Sequence, residues 1–435
     1  MNRRLFTLIC SSLYCSTCIN AQVSSTKDSV DRILRRIHLP TFPQNSVSVT
    51  KFGAKGDSVS DSKPAFEKAI AQCKKLGGGT VVVPKGIYTL NGPLHLTSNL
   101  RLLPVVLSSW EGTMLYNYSP MIYAYKAENI AIVGEGTIDG EASGTWATWK
   151  DKENVDQELS RDMNHKSVPI KDRVFGKGHY LRPHLIQFIE CKNILIESVQ
   201  IEDSPFWCVH LLKCQSATLR GLKYKAFNKN NDGIDPEYSS DILIENIDFD
   251  NGDDNVAIKA GRDNEGWANE ATPSQNIVIR NCRFKGLHGV VIGSEMSAGV
   301  KNVYVEDCEA SGYLKRGIYL KSNPDRGGYI RNIHVNNVKL GEVEDCFFIT
   351  SFYHNEGEGH ATEIRDVFIS NVTCTKARES GIVIQGFPQK KVVGIHLRNL
   401  TIHEAKKPMT LTDAEEIEFS DVVIGERATA PSSVR

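Results

Sequence analysis

From residue 129 onward the chain repeats a short pattern: an Asn or Asp, then apolar–any–apolar. It runs Asn193-Ile-Leu-Ile196, Asp241-Ile-Leu-Ile244, Asn276-Ile-Val-Ile279, Asn302-Val-Tyr-Val305, Asn332-Ile-His-Val335 and Asp366-Val-Phe-Ile369, with Gly394-Ile-His-Leu397 last and a weaker copy at Ala217-Thr-Leu219. Alternation with period two predicts short strands with one buried face. The starts lie 24 to 35 residues apart, so one coil recurs with insertions of variable length. A second apolar series is interleaved: Val256-Ala-Ile-Lys259, Val290-Val-Ile-Gly293, Ile318-Tyr-Leu-Lys321 and Ile382-Val-Ile-Gln385. Two or more strands per coil, no heptads and only one clear helix predict an all-β, single-domain, right-handed parallel β-helix. Its interior would be stacked Ile, Val, Leu and Cys. A β-propeller, built from four strands per blade, is the weaker alternative.

The one clear helix lies over 62–76. Asp61 or Ser62 caps it, Pro64 sits in its first turn, and Phe66, Ala69, Ile70 and Cys73 form one apolar stripe. Gly77-Gly78-Gly79 ends it. This helix is expected to cap one open end of the coil stack and protect its sheet edges. Before it, residues 1–21 resemble a secretory leader, with Arg3 and Arg4 followed by an uncharged, mostly apolar run and a cleavage site at Ala21. The expected organisation is a leader at 1–21, a lead-in at 22–45, the β-helix at 46–425 and a tail at 426–435. An exported, soluble, monomeric protein follows, since no later apolar run is long enough to span a membrane.

Composition narrows the classes. Lys plus Arg total 51 against 52 Asp plus Glu, a balance that argues against a nucleic-acid binder. Eight of the 11 cysteines lie beyond the leader. Export permits disulfides, but several of these cysteines sit inside strand segments, where a thiol packs as a small hydrophobe. At most one disulfide is expected. No CxxC pair lies beyond the leader, so no structural zinc is expected.

Aligning the second apolar series exposes the chemistry. Immediately before it stand Asp232-Gly-Ile-Asp-Pro236, Asp254-Asn-Val-Ala-Ile258, His288-Gly-Val-Val-Ile292 and Arg316-Gly-Ile-Tyr-Leu320. If the strands stack, Asp232, Asp254, His288 and Arg316 form one column with rungs about 4.8 Å apart, and Asp253 adds a third carboxylate. Asp235, Ala257, Val291 and Tyr319 point outward, followed two residues on by Glu237, Lys259, Gly293 and Lys321. Three carboxylates this close resist simultaneous ionisation. A protonated acid facing carboxylate bases is the equipment of glycoside hydrolysis, and a histidine can tune that proton. Lysines beside the column, Lys259 among them, are expected to hold an anionic sugar.

These residues resemble glycoside hydrolase family 28, the polygalacturonase family. The opening Phe52-Gly-Ala-Lys-Gly-Asp57 and Gly77-Gly-Gly-Thr-Val-Val-Val-Pro84 are similar to a segment shared by many pectin-active β-helices. The family's Asn-Thr-Asp signature matches Asn230-Asn231-Asp232, its Asp-Asp signature Asp253-Asp254, its Gly-His-Gly signature Leu287-His288-Gly289, and its Arg-Ile-Lys signature Tyr319-Leu320-Lys321. The resemblance implies Asp253 as general acid, Asp232 and Asp254 as the bases that activate water, and His288 as the residue that keeps the acid's proton in place. It implies Lys321 as the binder of the sugar carboxylate; Asn230, Tyr319, Arg316 and Lys259 beside the column are expected to be further substrate contacts. It implies inversion and no metal or other cofactor.

Tyr319 departs from the family arginine, whose bidentate fork suits a carboxylate. Arg316 either replaces part of that charge or is a turn arginine paired with Asp325. The inserts at 141–184 and 261–275 are expected to shape the groove and to block one end of it, which would favour cutting from a chain end. Trp207 and His210, one coil before Asp232, either stack on sugar or belong to the core. The expected function is therefore secreted, inverting hydrolysis of a galacturonate-containing pectic chain. A rhamnogalacturonan or xylogalacturonan hydrolase of the same family is the alternative, and a pectate-lyase-type enzyme is the competing class.

Overall fold

The computed structural model describes residues 26–96, 105–354, 357–425 and 428–429. The expected leader and most of the expected tail lie outside these residues. Nearly every strand pairs in parallel with its counterpart one coil later, giving a right-handed parallel β-helix. One core column runs Ile194, Ala217, Ile242, Ile277, Val303, Ile333, Val367, Ile395 and Ile417 in unbroken register. These are the apolar positions of the first repeat, and all are buried.

The polar residue that opens each repeat also has a physical reason. Asn193, Asp241, Asn276, Asn302, Asn332 and Asp366 all have φ between 52° and 58°, and Gly394 has φ 69°. Each coil turns its corner in the left-handed region, which Asn, Asp and Gly tolerate and β-branched residues do not. The side chains then stack: Asn276 donates to Asp241 at 3.2 Å, Asn302 to Asn276 at 3.0 Å and Asn332 to Asn302 at 2.7 Å. In the weak copy the corner residue is Ser216, φ 59°, not Ala217, which pairs with the apolar Ile194.

Helix α1 covers 26–36. Its Val30 and Ile33 bury against Leu243, Val278 and Tyr304 on the outside of the stack, and Arg36 pairs with Asp241 at 2.7 Å. The lead-in is thus a docked helix, an element absent from the expectations above. Helix α2, Lys63–Lys75, matches the expected cap. Its Ala65, Phe66, Ala69 and Cys73 pack with Val47, Val49 and Leu94 at the start of the stack. Asp61 rather than Ser62 supplies the capping oxygen, accepting from the Lys63 N–H at 3.0 Å. All eight cysteines of the described residues are free and buried.

The sheet that carries the second apolar series positions the site. Its strands are β1 (Ile186–Ile189), β2 (Val209–Leu212), β3 (Ile234–Glu237), β4 (Asn251–Ile258), β5 (Gly286–Ile292), β6 (Leu314–Lys321) and β7 (Tyr329–Thr350). The two inserts form helices α3, Asn154–His165, and α4, Asp263–Ala268. They dock on each other: Asn164 Nδ2 donates to the Arg262 carbonyl at 2.7 Å, and Arg173 pairs with Glu265 at 2.8 Å, both buried.

Candidate active site

Register places Asp254, His288 and Arg316 side by side on β4, β5 and β6, with Asp345 of β7 continuing the column. Asp232 lies two residues before Ile234, which pairs with Val256, so it falls opposite Asp254. A glycine follows three of these polar residues because the chain passes too close to its neighbour for a Cβ. At Gly233 a Cβ would stand 2.4 Å from the Asn255 carbonyl oxygen.

Electrostatics separates the carboxylates. Asp254 is buried, which alone would raise its pKa, but Lys321 at 3.0 Å and His288 Nδ1 at 2.6 Å hold it far below the ordinary carboxylate range. Burial and the adjacent Asp254 charge push Asp253 up to about 6. Burial, then Asp235 and Asp253, push Asp232 well above the ordinary range, with Lys259 opposing them. One group is thus built to remain ionised and its sequence neighbour to hold a proton, which is the pairing acid–base catalysis needs.

His288 is buried, and burial lowers its pKa despite the Asp254 contact. A neutral ring that donates Nδ1–H to Asp254 leaves Nε2 as a lone pair, and Nε2 has no partner among the described residues. The hydrogen bond runs to Asp254 rather than to the expected acid Asp253. Lys321 lies 5.3 Å from the Tyr319 ring and 5.0 Å from the Tyr353 ring, so Lys321 and Tyr319 share one face as expected.

Three expected contacts are placed differently. Arg316 pairs with Asp345 at 3.4 Å, not with Asp325, and its guanidinium lies between Tyr319 and Phe348 at 4.6 and 4.2 Å from the ring centres. Asp325 instead faces His360 at 3.1 Å. Lys259 is buried among Asp232, Asp235 and Glu295 rather than open to the groove. Asn230 turns its side-chain oxygen to Arg182 Nη2 at 2.8 Å.

Arg182 was not foreseen, and it is central to the local structure. Fully buried, it binds Glu153 of the insert at 2.7 and 3.0 Å, and the Pro205 and Lys229 carbonyls at 3.0 and 2.6 Å. It ties the insert to the turn that leads into Asp232. Glu295 was also missed; its partners come from other coils, so no local pattern marks it.

The groove is closed at one end. The outer positions of β1 and β2, Gln187 and His210, are fully buried. His210 donates to Glu237 at 2.9 Å and accepts from Gln187 at 2.9 Å. Trp207 and Phe206 are packed with Trp110, Leu115, Phe175 and Leu181, which makes Trp207 and His210 core residues. On the other side of His288 the groove opens into a cleft of about 400 Å³ lined by Arg316, Tyr319, Phe348, Phe352 and Tyr353.

Among the described residues, two groups bring three potential metal-donor atoms together: Asp253, Asp254 and His288, and His165, Asp263 and Asp325. In the first, both Asp254 oxygens already accept from His288 and Lys321. In the second, Asp263 is paired with Arg326 and, at 3.3 Å, with Arg262. Cations of the protein occupy both.

Known proteins share this fold and sequence pattern. The structure is similar to that of an exopolygalacturonase from Thermotoga maritima, with a TM-score of 0.87 and 35% identity over 92% of this chain and 96% of that one. In sequence the chain is 28% identical to a probable polygalacturonase of Vitis vinifera, over 86% of this chain and 78% of that protein. It is also 28% identical to an endo-polygalacturonase of Pectobacterium parmentieri, over 85% and 89%. Residues 73–420 match the family described as glycosyl hydrolases family 28. With a family match over most of the chain, this parallel β-helix belongs to glycosyl hydrolase family 28.

Proposed function

We propose that the protein is an inverting, exo-acting hydrolase of galacturonate-containing pectic chains. The observation that carries this reading is the divided carboxylate set: Asp254 held ionised by Lys321 and His288, beside Asp253 held near a pKa of about 6. Asp253 protonates the glycosidic oxygen as the bond to the anomeric carbon breaks. Asp232 and Asp254 take a proton from a water that attacks that carbon from the opposite face, so its configuration inverts. His288 steadies the Asp254 carboxylate and offers Nε2 to the groove. Lys321 keeps ammonium N–H groups for a sugar carboxylate besides its contact with Asp254.

Relatives named both exo- and endo-acting match this chain. The exo reading rests on the buried outer faces of β1 and β2, which leave a bound chain no path beyond the rung before Asp232. Action outside the cytoplasm, after removal of a leader ending near Ala21, belongs to the same reading. No helix among the described residues is long and apolar enough to cross a membrane.

Polygalacturonate digestion followed at the ultraviolet wavelength of unsaturated uronides, with and without EDTA, tests the reaction class. New reducing ends without absorbance, at a rate EDTA leaves unchanged, are expected. An absorbing product that EDTA abolishes would replace the hydrolase by a lyase.

A further inference from the structure

Lys259 sits on β4's continuation, one rung beyond Glu237, and is 3 % exposed. Its ammonium lies 3.5 Å from Asp232 Oδ2, 3.6 Å from Asp235 Oδ1 and 3.4 Å from Glu295 Oε2. The Trp207 ring closes the remaining side at 4.3 Å. A lysine so enclosed has no free face for a substrate carboxylate. Among the described residues it is the cation paired with Asp232. We propose that Lys259 is a positioning residue that favours the ionised, basic form of Asp232 against its burial and the carboxylates around it, and that Glu295 sets how much of the ammonium's charge Asp232 receives.

The surrounding charges give this arrangement a direction. Asp232 faces three carboxylates, Asp235, Asp253 and Asp254, each of which opposes its ionisation. Lys259 is the cation that acts against them. Asp235 Oδ1, buried and 3.6 Å from the same ammonium, competes for it. Burial works against the charge on Lys259, but Glu295, Asp232 and Asp235 together hold its pKa above the ordinary lysine value. Towards Lys259 also face Asp254 and, across Glu237, the neutral imidazole of His210. Glu295 has its own cations in Arg262, 3.7 Å away, and Arg326. It therefore remains ionised and draws the Lys259 ammonium away from the aspartates. Glu295 belongs to the loop after β5 and Lys259 to the chain after β4, so the wall of the groove and its base share one charge.

This inference rests on Asp232 being a base of the proposed reaction, and the test separates the two. The readout is the acid limb of kcat/KM against pH, which reports the base that must be deprotonated. Lys259→Met should move that limb to higher pH by about one unit or more, because charges about 3.5 Å apart interact strongly even in a partly screened site. KM should change little. Lys259→Arg should restore the limb. Glu295→Gln should move it the other way, to lower pH, because the ammonium is then shared only by the two aspartates. If Lys259→Met does not fold, Glu295→Gln decides alone: a limb that stays or rises overturns the proposal. A raised KM with an unmoved limb in Lys259→Met also overturns it and makes Lys259 a substrate contact. Asp232→Asn with wild-type turnover would instead remove the base assignment itself, whatever the lysine variants do.

Discussion

Replacing Arg182 with Ala removes a guanidinium that is fully buried and that meets five oxygens: two of Glu153, two backbone carbonyls and Asn230 Oδ1. Glu153 is itself fully buried, and its other partner, Lys150 at 2.5 Å, is one-third exposed. Breaking a buried pair from one side typically costs about 3–5 kcal/mol, because the remaining charge is left uncompensated. Unfolding entropy is about 2.1 cal/mol/K per residue, or roughly 0.9 kcal/mol/K for a chain of 435 residues. The expected fall in Tm is therefore about 3–5 °C. A purely structural loss would stop there. Arg182 also fixes the Lys229 carbonyl and Asn230, three and two residues before Asp232, so kcat should fall about tenfold or more even at temperatures where the variant is folded. Arg182→Lys keeps a charge but not the fork, and should recover part of the Tm and less of the kcat. The assays are calorimetry and initial rates on polygalacturonate well below the transition. A Tm within about 1 °C of wild type, or a full Tm loss with unchanged kcat, would refute the link between insert and catalytic turn.

Asp253→Asn should lower turnover by about 10²–10⁴-fold while oligogalacturonide binding, measured by calorimetry, survives. In the wild type the acid must be protonated, so activity should fall as pH rises through about 6, the value to which burial and Asp254 push Asp253; a profile flat to pH 8 would contradict that role. Lys321→Ala should weaken turnover on every acidic substrate by roughly 1.5–3 kcal/mol, while Tyr319→Arg should shift preference towards unsubstituted polygalacturonate. Rates compared on several pectic backbones check both, and an inert Lys321→Ala would remove the carboxylate contact.

The coil repeat was legible because each corner demands a left-handed residue and each strand an apolar pair, so sequence and geometry share one period. The same register carried Asp254, His288 and Arg316 into one column without any structure. What stayed hidden has no period. Arg182 and Glu153 meet from an irregular insert, 29 positions apart, and Glu295 reaches Lys259 from 36 positions away. Of the two readings of Arg316, the pairing with Asp325 fails because that turn is merely nearer in sequence, whereas register places Asp345 directly beside Arg316. Lys259 was read as open to substrate from strand alternation alone. Alternation gives the outward direction but not Glu295 and Trp207, which close over it from other coils. Helix α1 is a plainer omission: Val30, Ile33, Leu34 and Ile37 follow helical spacing.

The central claim is that a chain end enters a groove closed before Asp232 and is cleaved with inversion. A homogeneous oligogalacturonide labelled at one end, followed by proton NMR through the first turnovers, addresses both halves in one measurement. The account predicts one short product from the first turnover onward, released from a single end and carrying the anomeric configuration opposite to the cleaved linkage. A ladder of intermediate lengths would contradict the closed groove, and a product of retained configuration would contradict the roles given to Asp232, Asp253 and Asp254.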